Sequence, residues 1–390
     1  MKPGYEKIIG PIKSAVFYGS YWEQQPLHIA RGKSAHFADL IDVRDIEMLF
    51  STHEVYFPSV QVVKHGEVIS VSSYTGENRK ILPHRLMQHH LDGATVIISQ
   101  SHKKFTMLGN LCRDVTSAFQ MKCQANLYLS PAGCQGFDSH YDTHDVFILQ
   151  VSGRKTFRFY QSDIELPFVD DTFRPQENGY GVVEDEITLA AGDTLFIPRG
   201  VVHDAVTPDA EQSLHITLGL FPYVVRDLLQ EAVQVAAEGQ VEYRRSLPVS
   251  LDDSLSPSSL SAAELKTLLE QSLTDEIVNE AISRLNDETA IAGLQKCERL
   301  LAQPAYSDDA TLTVEGSSLL NVERHEGKLK VRVIGQVLSF AEPMATAVEA
   351  LVGQRSMQIS SLPGLDKNQT TALVDCLLQA DAATLVGQTG

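Results

Sequence analysis

The sequence predicts an α+β chain built around an antiparallel β-barrel or sandwich, with helices before and after it and a small mixed region towards the C-terminus. Three observations carry this expectation. Between Asn126 and Phe221, short β-rich runs recur, broken by Gly, Pro and Asp, as closely spaced strands of a barrel or sandwich do. After Pro222 the apolar residues recur every three and four positions, which is the helical period. From about Tyr306 the chain alternates apolar with polar and then becomes helical again. At 390 residues the chain exceeds a single core, so two or three domains are expected.

Residues 1 to about 125 mix short helical and strand patterns, with a helix expected over residues 42–50 and a strand over residues 60–63. This part reads as an elaboration ahead of the core. Core strands are expected over residues 127–129, 146–151, 156–160, 194–197 and 214–218. The helix that follows carries Val225, Leu228, Leu229, Ala232, Val233 and Ala236. Residues 246–259 are rich in Ser, Pro and Asp, which favour turns, and read as a linker. Two further helices, one with Leu265, Leu268 and Leu269 and the other with Ile277, Ile282 and Leu285, suit an interaction or dimerisation module. Strands over residues 311–314 and 329–333, then helices around Val348 and Leu377, make the last part winged-helix-like. The expected boundaries are 1–245, 246–305 and 306–390.

Hydrophobic residues make up 43% and charged residues 21%, and no apolar run approaches the roughly 18 residues of a membrane span. The start of the chain lacks the apolar stretch of a secretory signal, so a cytoplasmic home is expected. Five cysteines without a C-x-x-C pair or nearby histidine partners agree with a reducing compartment and argue against structural zinc. A net charge of -18 disfavours nucleic acid as a partner, because phosphate neutralisation needs clustered Lys and Arg. From Tyr306 onwards 10 acidic residues oppose 6 basic ones, a balance of -4, so the winged-helix-like part is not expected to read DNA. Basic polypeptides are the electrostatically easier partners.

His140 and Asp142 lie two apart just ahead of an apolar run. Alternate residues of an extended strand project from one face, so an imidazole and a carboxylate converge there. His203 follows 63 residues later, beyond an expected strand and turn, where an antiparallel barrel returns it opposite the first pair. Two histidines and one carboxylate form the facial triad of non-haem iron oxygenases, which leaves open positions on the metal. Lys155 is expected on the next strand after a tight turn at Gly153, and a lysine facing into a barrel needs an anionic partner. Asn126 and Tyr128, again two apart, add an amide and a phenol to the same inner face.

These motifs give the chain its family resemblance. Asn126-Leu127-Tyr128-Leu129-Ser130-Pro131, Gln135-Gly136-Phe137, His140-Tyr141-Asp142, the run from Phe147 to Lys155, Ile197-Pro198-Arg199-Gly200-Val201-Val202-His203 and Ser213-Leu214-His215-Ile216-Thr217-Leu218 closely resemble the JmjC-type ribosomal oxygenases of the cupin class. Weaker similarity covers residues 21–27, and the C-terminal plan resembles that family's helical dimerisation region and winged helix. The resemblance implies a double-stranded β-helix barrel and a homodimer. It implies Fe(II) held by His140, Asp142 and His203, with 2-oxoglutarate as cosubstrate, its far carboxylate on Lys155, and O2 as the oxidant. Asn126 and Tyr128 match positions that line the cosubstrate pocket. Gly219 departs from the pattern, since some relatives carry a serine there that helps hold the cosubstrate.

The implied activity is hydroxylation of a protein or peptide side chain, with Arg or His of a basic ribosomal protein as the favoured target. Rival readings are a hydroxylase of a ribosomally made peptide natural product or small molecule, a methyl-lysine demethylase, and a catalytically silent cupin that only binds a partner. His144 shares strand parity with the triad and reads as a substrate contact, while His215 reads as a second-sphere or structural residue. His89, His90 and the run His102-Lys103-Lys104 read as surface features.

Overall fold

The computed structural model describes residues 3–161, 164–171, 181–209, 211–246, 261–291, 306–316, 318–325 and 327–386. They fall into two compact units, Met1–Phe221 and Pro222–Gly390. The first unit ends at Phe221, whereas the sequence reading extends the barrel region to residue 245. The segment read as a linker, Ser246 apart, and Cys297 lie outside the described residues.

Ten strands of the first unit form one sheet system: β1 (Leu27–Ile29), β2 (Val60–Lys64), β3 (Glu67–Val68), β4 (Thr95–Ile98), β5 (Lys122–Ser130), β6 (Asp145–Tyr160), β7 (Val183–Ala190), β8 (Thr194–Ile197), β9 (His203–Val206) and β10 (Ser213–Phe221). The order is β1-β8-β6-β10-β5-β4-β2-β3, with β7 and β9 both paired to β6, and all pairings are antiparallel. Period-two patterning explains the central strands. On β10, Leu214, Ile216, Leu218 and Leu220 enter the main core, while Ser213, His215 and Thr217 take the other face beside Ser130, Tyr128 and Asn126 of β5. Phe147 of β6, Phe196 of β8 and Phe17 anchor that core, with ring centroids 4.9–5.9 Å apart.

β6 serves both layers. Its first half pairs with β10 and β8, and its second half with β7 and β9. Between them the register with β10 slips at Leu214/His215, a bulge that leaves Val151 without an opposite residue. Facing therefore changes parity: Val146 and Ile148 join the same small core as Phe157 and Phe159. Gly153 sits at this kink with φ +64°, where a Cβ would lie 1.7 Å from the carbonyl oxygen of Gln212. The expected turn at Gly153 between two strands is thus a bend within one strand, because a turn would have cost the ladder that the bulge preserves.

Around this sheet the first unit carries α1 (Pro3–Ile9), α2 (Ser14–Ser20), α3 (Val43–Thr52), α4 (Val71–Tyr74), α5 (Pro83–Leu91) and α6 (Thr106–Phe119). α3 begins at a capping box in which Asp42 accepts from the amides of Arg44 and Asp45 and the Asp45 carboxylate accepts from the Asp42 amide. His102 is 8% exposed and accepts a hydrogen bond from the amide of Ala125 through Nδ1, and His89 and His90 are half-buried. The surface reading is corrected for His102, whose ring the Ala125 amide holds in the interior.

The second unit contains α7 (Val225–Gly239), α8 (Ala262–Ser272) and α9 (Asp275–Ile291), then β11 (Thr311–Val314), β12 (Leu319–His325), β13 (Lys328–Val333), β14 (Gln336–Phe340), α10 (Met344–Gln354), β15 (Ser356–Gln358), α11 (Lys367–Gln379) and β16 (Ala383–Val386). Two three-stranded sheets, β15-β11-β16 and β12-β13-β14, pack with α10 and α11 around Val348, Leu351, Leu373 and Leu377.

Candidate metal and cosubstrate site

His140 and Asp142 lie in extended loop backbone ahead of β6, not on the strand. What aligns them is an isolated bridge in which the His140 amide donates to the His203 carbonyl at 2.9 Å and the His203 amide donates back at 2.7 Å. The two imidazoles face each other with centroids 4.8 Å apart, and His203 Nε2 lies 3.9 Å from Asp142 Oδ2. One ligand atom from each of His140, Asp142 and His203 falls within 4.8 Å of the others. The sequence-expected triad is therefore brought together, while His144 stands outside it.

The tautomers follow from the backbone. Nδ1 of His140 meets the Asp138 carbonyl at 2.7 Å, and Nδ1 of His203 meets the Val201 carbonyl at 3.0 Å. A carbonyl oxygen only accepts, so both Nδ1 atoms carry the proton and both Nε2 lone pairs are left for a metal. Burial and the neighbouring His140 lower the His203 pKa to about 4, which keeps this imidazole in its neutral, ligating form.

The same cavity is lined by Asn126, Tyr128, Ser130, Lys155, His215 and Thr217. Lys155 is 2% exposed and donates to Ser130 Oγ at 3.0 Å and to Thr207 Oγ1 at 2.9 Å. It forms no ion pair among the described residues, and burial lowers its pKa to about 8. A buried ammonium held by two neutral hydroxyls is short of one anion. Asn126 accepts the Gln100 amide through Oδ1 at 2.9 Å, which turns its NH2 group away from Gln100. Tyr128 stacks on its cross-strand partner His215 at 4.8 Å and 8°, and burial together with Asp142 raises its pKa. The buried His215 is held well below its ordinary pKa by desolvation and by Lys155.

His144 stacks on Phe221 at 4.6 Å and 14°. It fills the space beside Gly219, where a Cβ would come within 2.8 Å of His144 Cδ2. The departure at Gly219 is thus matched by a bulky neighbour, and His144 borders both the inner cavity and an outer groove of about 490 Å³ that also reaches Asp138 and Tyr141.

Residues 98–228 match the JmjC domain family. The whole chain superposes on the ribosomal oxygenase YcfD of Escherichia coli with a TM-score of 0.56, covering 97% of this chain and 99% of that one at 16% identity. Among curated relatives, the bifunctional lysine-specific demethylase and histidyl-hydroxylase NO66 of Drosophila pseudoobscura pseudoobscura is 28% identical over 82% of this chain and 36% of its own length. The chain carries a JmjC domain. NO66 of Dictyostelium discoideum is 29% identical over 62% of this chain and 48% of its own length, so the chain spans half or less of these relatives. YcfD has also been solved with cobalt and 2-oxoglutarate, in a structure that matches this chain at a TM-score of 0.56 and 17% identity over the same shares, 97% and 99%.

In this JmjC chain two site-building residues escaped the sequence reading. Asp145, fully buried, accepts from the Arg199 amide at 3.1 Å and from Arg199 Nη1 at 3.0 Å, which fixes the Pro198-Arg199-Gly200 turn leading to His203. The Gly200 amide in turn donates to the Asp142 carbonyl at 3.0 Å. Only the adjacency of Asp145 to an apolar run, and of Arg199 to a Pro-Gly turn, hinted at this pair.

Proposed function

We propose that the chain is an Fe(II)- and 2-oxoglutarate-dependent dioxygenase that hydroxylates a side chain of a protein or peptide. The observation that carries this reading is the coexistence, in one cavity, of a two-histidine, one-carboxylate donor set and a buried lysine lacking an anionic partner. The donor set suits a hard-to-borderline divalent ion with positions left open, and the lysine suits a dicarboxylate. When bound, iron with 2-oxoglutarate and O2 supplies oxidative decarboxylation to succinate coupled to hydroxylation of a substrate carbon.

The chain supplies the rest. His140 and His203 present Nε2 and Asp142 an oxygen, each fixed by the backbone contacts described above. Lys155 holds the far carboxylate, Asn126 and Tyr128 line its path, and the apolar wall of Val146 and Ala205 limits water. His144, at the junction of cavity and groove, meets the substrate.

An Arg or His side chain of a basic ribosomal protein is the favoured target, supported by the activities for which the relatives are named and by the net charge of -18. The helical region within residues 246–305 acts in homodimerisation, supported by Leu265, Leu269 and Ile282, which are 44%, 38% and 41% exposed. Residues 306–390 form a winged-helix-like domain without a nucleic-acid role, in a cytoplasmic protein. Among the described residues, no helix is long and apolar enough to cross a membrane.

The test is conversion of 2-oxoglutarate to succinate in the presence of iron and ascorbate, followed by a search for +16 mass shifts in proteins of a deletion strain. Absence of any iron-dependent succinate would overturn the reading and favour a silent cupin.

A further inference from the structure

The outer face of the ligand segment carries a second polar cluster. Arg158 of β6 and Asp204 of β9 are directly opposite in the register, on the face turned away from Phe159 and His203. The Asp204 carboxylate, 2% exposed, accepts from Arg158 Nε at 2.7 Å, Arg158 Nη2 at 2.9 Å, Tyr160 Oη at 2.7 Å and Ser139 Oγ at 3.3 Å. Arg158 Nη2 reaches on to Gln135 Oε1 at 3.2 Å. Gln135 and Ser139 both belong to the loop that delivers His140.

That loop has little ladder of its own. It meets β9 only at isolated bridges, Gln135 with Val206 and His140 with His203, and arches over the residues between. Two bridges fix its ends to β9, and the His65 and Gly66 amides donate to the Gln135 and Gly136 carbonyls at 3.3 and 2.7 Å, ahead of the Ser139–His140 step. Ser139 precedes His140 and Asp204 follows His203, so one hydrogen bond between their side chains couples the two histidine backbones from outside. Charge assistance from Arg158 strengthens the acceptor.

We propose that Asp204 is a positioning residue, which through Ser139 and Arg158 clamps the His140 loop onto β9 and so sets the spacing of the two metal-binding imidazoles. This inference rests on the metal site of the proposed function. Asp204 does not line the cavity, so its effect on metal binding runs through the loop.

Cobalt(II) titration of the full chain, followed by calorimetry and by visible absorption, tests it alongside thermal unfolding without metal. Asp204→Asn keeps size and shape but removes the charge, and should weaken cobalt binding by about 10–100-fold, the range for groups that orient metal ligands. Ser139→Ala, a milder change, should weaken it by about fivefold, the loss of one hydrogen bond of about 1 kcal/mol. Arg158→Gln should fall between. A merely structural role would lower the melting temperature while the folded fraction bound cobalt as tightly as wild type. Cobalt affinity within twofold of wild type in both Ser139→Ala and Arg158→Gln would overturn the clamp, even if Asp204→Asn failed to fold. Failure of the wild-type chain to bind cobalt would instead overturn the metal site on which the clamp rests.

Discussion

Replacing Lys155 with Met separates what this residue does for binding from what it costs the fold. Burial lowers its pKa from 10.5 to about 8, which at about 1.4 kcal/mol per pH unit amounts to about 3 kcal/mol of desolvation cost at pH 7. Met conserves length and removes the charge. Ser130 keeps its bond to Thr95 at 3.0 Å, so the loss is chiefly the unpaired Thr207 hydroxyl, about 1 kcal/mol. The variant without ligand should therefore be about 2 kcal/mol more stable than wild type in urea unfolding at pH 7. The sign reverses for binding: truncating one partner of a buried charge pair costs about 2–5 kcal/mol, so the 2-oxoglutarate constant should rise about 30-fold or more. Between pH 8 and 10.5 the unfolded chain holds a proton on Lys155 that the native chain does not, so wild-type stability gains relative to the Met variant, and the gap closes. A Met variant less stable than wild type at pH 7, or one that binds 2-oxoglutarate normally, would show that Lys155 is not an uncompensated buried cation that a carboxylate completes.

Three further outcomes are expected. Asp142→Ala should abolish iron-dependent succinate formation with the melting temperature little changed, because it leaves two neutral ligands for a dication; retained turnover under limiting iron would show the triad to be misassigned. His203→Ala should lose bound metal while His144→Ala keeps it and retains most uncoupled turnover, and equal metal loss in both, measured by elemental analysis, would mean that His144 is a ligand. Gly153→Ala should destabilise the first unit by about 2 kcal/mol or more, since the new Cβ meets the Gln212 carbonyl at a positive φ; an unchanged urea midpoint would contradict the bent-strand geometry.

Much of the barrel was legible because β5 and β10 place main-core residues at every second position, while β8, buried on both faces, shows as a short continuous run that coincides with the strand expected at residues 194–197. The gathering of His140, Asp142 and His203 was legible for the same reason: spacing and antiparallel return constrain where they lie. α6 was not read, because it is buried on several sides and Arg113, Thr116 and Ser117 enter the interior with Leu108, Leu111 and Val115, which blurs its period. β7 was missed because Val183 to Glu186 face solvent at a sheet edge and show no apolar alternation. The Arg158–Asp204 and Arg199–Asp145 pairs join residues 46 and 54 apart in sequence. No local pattern marks which surface-type charges will be buried together.

The bulge at Val151 has a consequence for how this chain tolerates length changes. Ahead of it the cavity-side residues of β6 are even-numbered, Val146 and Ile148; beyond it they are odd-numbered, Lys155, Phe157 and Phe159. The one extra residue acts as a frameshift in the strand's facing, and Lys155 points at the cavity because the strand absorbs that residue as a bulge. Deleting Val151 would remove the extra residue and the bulge together, so the second half would keep its register with β7 and β9 and its facing. Arg154, Thr156 and Arg158 would stay on the outer face and Lys155 at the cavity. A single-codon deletion here is one that the strand can absorb, whereas an insertion or deletion within β6 that left the bulge in place would turn the residues beyond it inside out.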